Sequence, residues 1–283
     1  NQISTMSDQH DPEYLLRETK REIERLRKQH QWFQGCLETK IVFAPVDLSD
    51  PSLKVLDVGC ADGILLRDLR QELAPSAQLV GLDYMPSFLP ESPDGNIRYT
   101  TGDACERPAP DLAGTFNFTH VRFVLPGCGK AGADRVVSNL AETLAPGGWL
   151  QIQEMDLSAG RTEHPSAFNE VLQLFEAVFE AGGMGGRFSS KLDESFTKAG
   201  LKNVTLKRLE IPAGNRIADE TLRQMSIEPF KLTIPTVVGA AKAMSLELPD
   251  SIFDRLEERF EDEMLETGAT FGTFVACGQK PLQ

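Results

Sequence analysis

Between residues 53 and 277, short apolar runs recur without in–out alternation, and stretches of helical periodicity separate them. Such runs suit strands buried on both faces, and strands alternating with helices define a parallel sheet covered on each side. Strands are predicted over 53–58, 78–84, 97–103, 115–123, 149–155, 204–211 and 270–277. Helices are predicted over 64–73, 133–144, 168–180 and 192–199, the second stopped by Pro146-Gly147-Gly148. Two further helices, about 219–231 and 251–266, interrupt the rhythm before the last strand and read as an inserted lid. Residues 12–36 read as a charged helix with Asp11 as cap and Pro12 at its first position. The expectation is an α/β fold with a seven-stranded doubly wound sheet. An N-terminal helical cover (1–52) precedes one elaborated domain (53–283), with the insertion at about 215–266.

Composition narrows the function. Lys and Arg total 29 against 42 Asp and Glu, a net charge of −13. Phosphate backbones are bound by basic surface, so nucleic acid is not the expected partner. No apolar run approaches the roughly 18–20 residues of a membrane span. Asn1 to Pro12 is polar, so no apolar leader is expected there. The five cysteines, Cys36, Cys60, Cys105, Cys128 and Cys277, include no C-x-x-C pair. Neither a disulfide framework nor a metal site is expected, and a reducing, cytoplasmic location is.

The most informative segment is Val55-Leu56-Asp57-Val58-Gly59-Cys60-Ala61-Asp62-Gly63, a strand running through a glycine-bounded turn into a helix. Ligands of open α/β sheets bind at the carboxyl ends of the strands. Gly59 and Gly63 permit a tight turn there. The dinucleotide fingerprint G-x-G-x-x-G fails, because Ala61 and Ile64 occupy glycine positions. A nicotinamide oxidoreductase is therefore disfavoured, and so is a phosphate cradle. Two acids follow at matching places: Asp83 ends the second strand and Asp103 ends the third. A carboxylate at the first accepts from a ribose diol, and at the second from an adenine amino group. Capping of turns is the competing reading for either one alone.

This pattern resembles the class I S-adenosylmethionine-dependent methyltransferases. Leu56 to Gly63, Gly81-Leu82-Asp83, Gly102-Asp103-Ala104 and Leu144-Ala145-Pro146-Gly147-Gly148-Trp149-Leu150 match in order and spacing over about 53–157. The resemblance implies a Rossmann-like sheet and S-adenosylmethionine as cofactor. It implies cofactor contact from Asp57, Gly59, Cys60, Ala61, Gly63, Asp83, Tyr84, Gly102, Asp103, Ala104 and Val121. A narrower likeness, to the LaeA-like fungal methyltransferases of secondary metabolism, rests on several further segments. These are Glu22-Ile23-Glu24-Arg25-Leu26 with Gln29-His30, Ala44-Pro45-Val46, Phe118-Thr119-His120-Val121-Arg122 and Gln151 to Asp156.

Methyl transfer is an in-line displacement, and a general base is required only where the acceptor must lose a proton. His120, near the end of the fourth strand, is the leading base candidate, against a structural histidine. Substrate-binding candidates are Tyr14, Trp32 and Phe33 on the N-terminal helix, Arg122, Glu154, His164 and Met184. For the three aromatic residues, core packing is the competing reading. Phe168, Phe175 and Phe179 recur at helical spacing and read as core. Gly182-Gly183-Met184-Gly185-Gly186 reads as a hinge or a plain helix-ending loop. The expected partner is a small natural-product acceptor methylated on N, O or S. The alternatives are a LaeA-like regulator acting through protein partners, or a methyltransferase fold that binds cofactor without transfer.

Overall fold

The structure, a computed structural model, describes residues 12–92, 96–158 and 166–282, with side chains from residue 18 onward. Seven strands form one sheet: β1 (Lys54–Val58), β2 (Gln78–Asp83), β3 (Ile97–Thr101), β4 (Phe116–Arg122), β5 (Leu144–Met155), β6 (Lys202–Ala213) and β7 (Ala269–Gln279). Their spatial order is β3-β2-β1-β4-β5-β7-β6. The helices are α1 (Pro12–Cys36), α2 (Ile64–Arg70), α3 (Ala133–Glu142), α4 (Ala167–Ala181), α5 (Leu192–Lys198), α6 (Glu220–Ala243), α7 (Asp250–Phe253) and α8 (Leu256–Glu266). Among the described residues no helix is long and apolar enough to cross a membrane.

β1 to β5 pair in parallel, but β7 runs antiparallel to both β5 and β6. The expectation of a wholly parallel sheet is corrected there. Ala213, ending β6, lies opposite Ala269, starting β7. The chain leaves and re-enters the sheet at one end, so the returning strand must run back along β6. That end is the carboxyl end of β1, β2 and β4, which is why α6 comes to lie over it.

Two other boundaries differ from expectation. β5 begins at Leu144, five residues early, and takes Pro146-Gly147-Gly148 into the strand. The register with β4 jumps there, from Phe116↔Leu144 to Phe118↔Trp149, and Gly147 adopts φ +80°. α3 already ends at Glu142, before the triplet expected to stop it, and the triplet acts instead as a bulge inside β5. α6 continues twelve residues past the expected Lys231 through Pro229 and Pro235. Proline removes a helix hydrogen bond, but burial of Pro229, Phe230 and Ile234 outweighs local propensity.

The insertion is built into the core rather than standing apart. Phe230 of α6 meets Phe260 of α8 at 5.3 Å, Phe271 of β7 at 5.5 Å and Trp32 of α1 at 6.0 Å between ring centroids. α1 is tied to its surroundings by Arg27 to Asp62 at 2.7 Å and by Lys28 to Glu228 on α6. Gly35 admits Leu222 of α6 so closely that a Cβ would lie 2.6 Å from it.

Candidate active site

A cavity of about 670 Å³ opens at the carboxyl ends of the strands, between the sheet below and α1, α4 and α6 above. That volume lies within the range of small-molecule sites. Its two ends differ in chemistry. Towards β1, β2 and β3 it is lined by Asp57, Asp62, Asp83 and Asp103, with Gly59, Cys60, Ala61, Tyr84, Gly102 and Ala104. Towards β7 it is lined by Phe123, Met155, Phe175, Phe179, Phe230 and Phe271.

The glycine turn forms the floor of the first end. Gly59 and Gly63 hold φ of +74° and +76°, and Ala61 holds +47° between them. At Gly59 a Cβ would lie 2.2 Å from the Val124 side chain, so no larger residue fits. Asp83 braces this turn: one carboxylate oxygen accepts from Ala61 N–H and the other from Met85 N–H, both at 2.8 Å. Burial raises its pKa from the ordinary value. Asp103 accepts from Cys105 N–H at 2.8 Å and remains exposed at the cavity wall. The two readings of these acids, capping and ligand contact, are thus compatible, because each carboxylate oxygen keeps a second lone pair.

Several expected site residues lie elsewhere. His120 does not line the cavity. It is 1% exposed, beneath the floor, with Nδ1 bonded to Asp57 at 2.7 Å across the β1–β4 pair. It is therefore corrected from base to structural partner of Asp57. Glu154 is fully buried behind the loop after β4, accepting from Val124 and Leu125 N–H at 2.9 Å, and its other oxygen has no partner. Burial pushes its pKa up to about 8, so it is largely protonated at neutral pH and does not face the acceptor. Its strand neighbour on the same side, Asp156, is held by Arg208 at 2.6 Å.

Trp32 and Phe33 are also corrected to core. Trp32 is fully buried and donates through Nε1 to Pro212 O at 2.8 Å, while Phe33 packs edge-on against Phe123 at 5.4 Å. Met184 is buried beside the Gly129 loop, where a Cβ on Gly129 would lie 2.3 Å from Gly182 O. The glycine run is a close packing contact instead of an open hinge. Val121 is fully buried under the floor, and Gly63 caps α2 beneath Tyr99 without lining the cavity. His164 and the side chain of Tyr14 lie outside the described residues. Of the candidate substrate residues, Arg122 does line the cavity.

Other lining residues were not singled out from sequence. Phe175 and Phe179, read as core, line the aromatic end, whereas Phe168 is core. Phe123 carries φ +57°, a strained value for a bulky residue, with its N–H bonded to Gln153 O at 3.0 Å. That backbone turn aims its ring into the cavity, and nothing in the residue type announces it. His30 of α1 also lines the cavity, with burial and the nearby Arg122 charge pushing its pKa down to about 4. Asp103, Cys105 and Cys128 bring three possible ligand atoms within 4.8 Å, a grouping that sequence spacing does not reveal.

A sheet of this strand order, a glycine turn after β1 and acids at the ends of β2 and β3 define a class I methyltransferase fold. Residues 13–206 match the methyltransferase domain family, and the chain belongs to it. It is 30% identical to methyltransferase psoC of Aspergillus fumigatus, over 96% of this chain and 95% of that protein. It is 31% identical to N-methyltransferase sirN of Leptosphaeria maculans, with 95% of each covered, and 25% identical to N-methyltransferase verN of Clonostachys rogersoniana. Among solved structures, phosphoethanolamine N-methyltransferase 2 of Haemonchus contortus, in complex with S-adenosyl-L-methionine, superposes with a TM-score of 0.53 at 14% identity. That likeness covers 99% of this chain and 60% of that one, and shows the fold.

The protein is thus an S-adenosylmethionine-dependent methyltransferase acting on a small-molecule acceptor. The residues present suit this cofactor better than a phosphate-bearing one. The α2 N-terminus, where a phosphate would sit, carries Asp62, already paired with Arg27 and Arg67. When bound, the cofactor supplies an electrophilic methyl group on a sulfonium. The chain would hold it against the glycine turn and the lining acids, and the aromatic residues of the β7 end would favour a cation.

Proposed function

We propose that the acceptor atom is a nitrogen of an apolar, ring-bearing natural product. The observation that carries this is the apolar end of the cavity, lined by five phenylalanines, Met155, Pro229 and Thr233, while of the lining acids Asp57, Asp62, Asp83 and Asp103 belong to the opposite end and Glu22 is paired with Arg25 at 2.6 and 2.8 Å. A hydroxyl acceptor needs a base to take its proton during transfer, whereas a neutral amine attacks through its lone pair and sheds the proton afterwards. His30 is unsuited to the task, since its ring is hard to protonate and both ring nitrogens are engaged. The names of two similar fungal proteins, N-methyltransferases sirN and verN, agree with this choice.

The acidic end takes the nucleoside: Asp83 accepts from the ribose and Asp103 from the adenine. With five free cysteines, three of them buried, a reducing cytoplasmic setting fits. The test is turnover of methyl-labelled cofactor with matched pairs of aromatic secondary amines and phenols. Transfer to amines over phenols by about a hundredfold or more at neutral pH is the expected result, since a missing base costs about 10²–10⁴. Preferential methylation of phenols would overturn the proposal.

A further inference from the structure

Among the described residues, Arg122 is a cation without a salt-bridge partner. Desolvation lowers its pKa to about 10, so it remains charged at neutral pH. No carboxylate among the described residues forms a salt bridge with it. The two acids whose fields it feels, Asp57 and Asp68, are committed elsewhere, to His120 at 2.7 Å and to His30 at 2.8 Å. Desolvated charges are normally paired, so this one is placed for an anion that arrives.

Its hydrogen-bond partner among the described residues explains how it is held. Arg122 Nη2 lies 2.8 Å from His30 Nδ1, and His30 Nε2 lies 2.8 Å from Asp68 Oδ2. Arginine only donates, so Nδ1 must carry the lone pair and Nε2–H must donate to Asp68. The partners thus select one neutral tautomer. The chain Asp68–His30–Arg122 joins α2, α1 and β4, and the Phe33 ring lies 5.6 Å beneath the guanidinium. One donor of the fork is spent on His30. The side chain lines the cavity, and β4 stands between the strands carrying Asp83 and Asp103 and the strand carrying Phe271. That is the place between nucleoside and acceptor, where the amino-acid arm of the cofactor must branch.

We propose that Arg122 binds the terminal carboxylate of the cofactor's amino-acid arm, and that His30 and Asp68 are positioning residues that fix the guanidinium for it. The proposal rests on the cofactor's identity and is independent of which acceptor atom is methylated. Through His30, the N-terminal helix contributes to cofactor affinity as well as covering the cavity.

Calorimetric titration with two probes tests it. S-adenosylhomocysteine carries the carboxylate; 5′-methylthioadenosine keeps the nucleoside and sulfur but lacks the arm. Arg122→Gln should weaken the first by about 10- to 100-fold and the second by less than about twofold, as expected for a lost charge-assisted pair. His30→Leu should show the same selectivity in milder form. His30→Gln, which can accept from Arg122 and donate to Asp68, should recover affinity to within about threefold of the parent. Unchanged 5′-methylthioadenosine binding certifies an intact fold in each variant. Equal losses for both probes in variants whose thermal unfolding is unchanged would overturn the proposal. So would undiminished S-adenosylhomocysteine binding in Arg122→Gln, which would leave the guanidinium to a carboxylate on the acceptor.

Discussion

At the scale of single residues, the site is defined by carboxylates whose surroundings set their roles. Asp83 spends one oxygen on Ala61 of the glycine turn and the other on Met85 of the loop after β2, and keeps capacity for a ligand. Asp83→Ala is expected to lose both, weakening S-adenosylhomocysteine binding by about 1.5–3 kcal/mol, the cost of hydrogen bonds to a charged group. Calorimetry with the purified variant measures it, and unchanged affinity would remove Asp83 from the site. Glu154 is the contrasting case. It has the same chemistry near the end of β5, with β1 and β4 lying between that strand and β2, yet its deep position makes it a protonated brace for the Val124–Leu125 backbone. Residue type made both acids candidates; only depth separated them.

At the scale of elements, aromatic residues sort by helix face. Trp32 and Phe33 turn inwards from α1, while Glu22, Arg25, Gln29 and His30 of the same helix line the cavity. On α4, Phe168 is core, while Phe175 and Phe179 line the acceptor end. Trp32→Ala should therefore cost about 3–5 kcal/mol of stability, in the range for large-to-small aromatic core truncations. Phe179→Ala, at a half-buried wall, should cost less than about half of that and raise the acceptor KM while leaving cofactor affinity unchanged. Chemical denaturation and steady-state kinetics on the pair separate the roles. Loss of cofactor binding in the Phe179 variant would sink this division of the cavity.

At the scale of the whole molecule, two buried titrations pull stability in opposite directions. His30 is pushed down to about 4, so the unfolded chain binds its proton more readily and stability falls as pH drops from about 6.5 towards 4. Glu154 is pushed up to about 8, so the folded chain holds a proton that the unfolded chain releases, and stability falls as pH rises from about 4.5 towards 8. Glu154→Gln keeps an acceptor for Val124 and Leu125 without the charge. Its thermal unfolding temperature should exceed the parent's at pH 8.5 by more than at pH 5, and a constant difference across that range would refute the assignment.

Much of this architecture is written locally. The runs at 54–58, 78–83 and 97–101, the turn at Gly59–Gly63 and the acids that follow are short-range patterns. Strand burial, φ preference and side-chain charge enforce them over fewer than ten residues each. They determined the sheet, its ligand-binding end and the class of cofactor without reference to distant contacts. The tertiary structure decided what depends on residues far apart in the chain. β7 runs antiparallel because the chain returns to the end of the sheet that it left. His120 and Glu154 sit below the cavity instead of in it, and Phe123 enters it through a strained turn. The lone histidine of α1 meets Arg122, 92 positions away, to hold a guanidinium ready. Depth and pairing across such separations are properties of packing, and no local pattern encodes them.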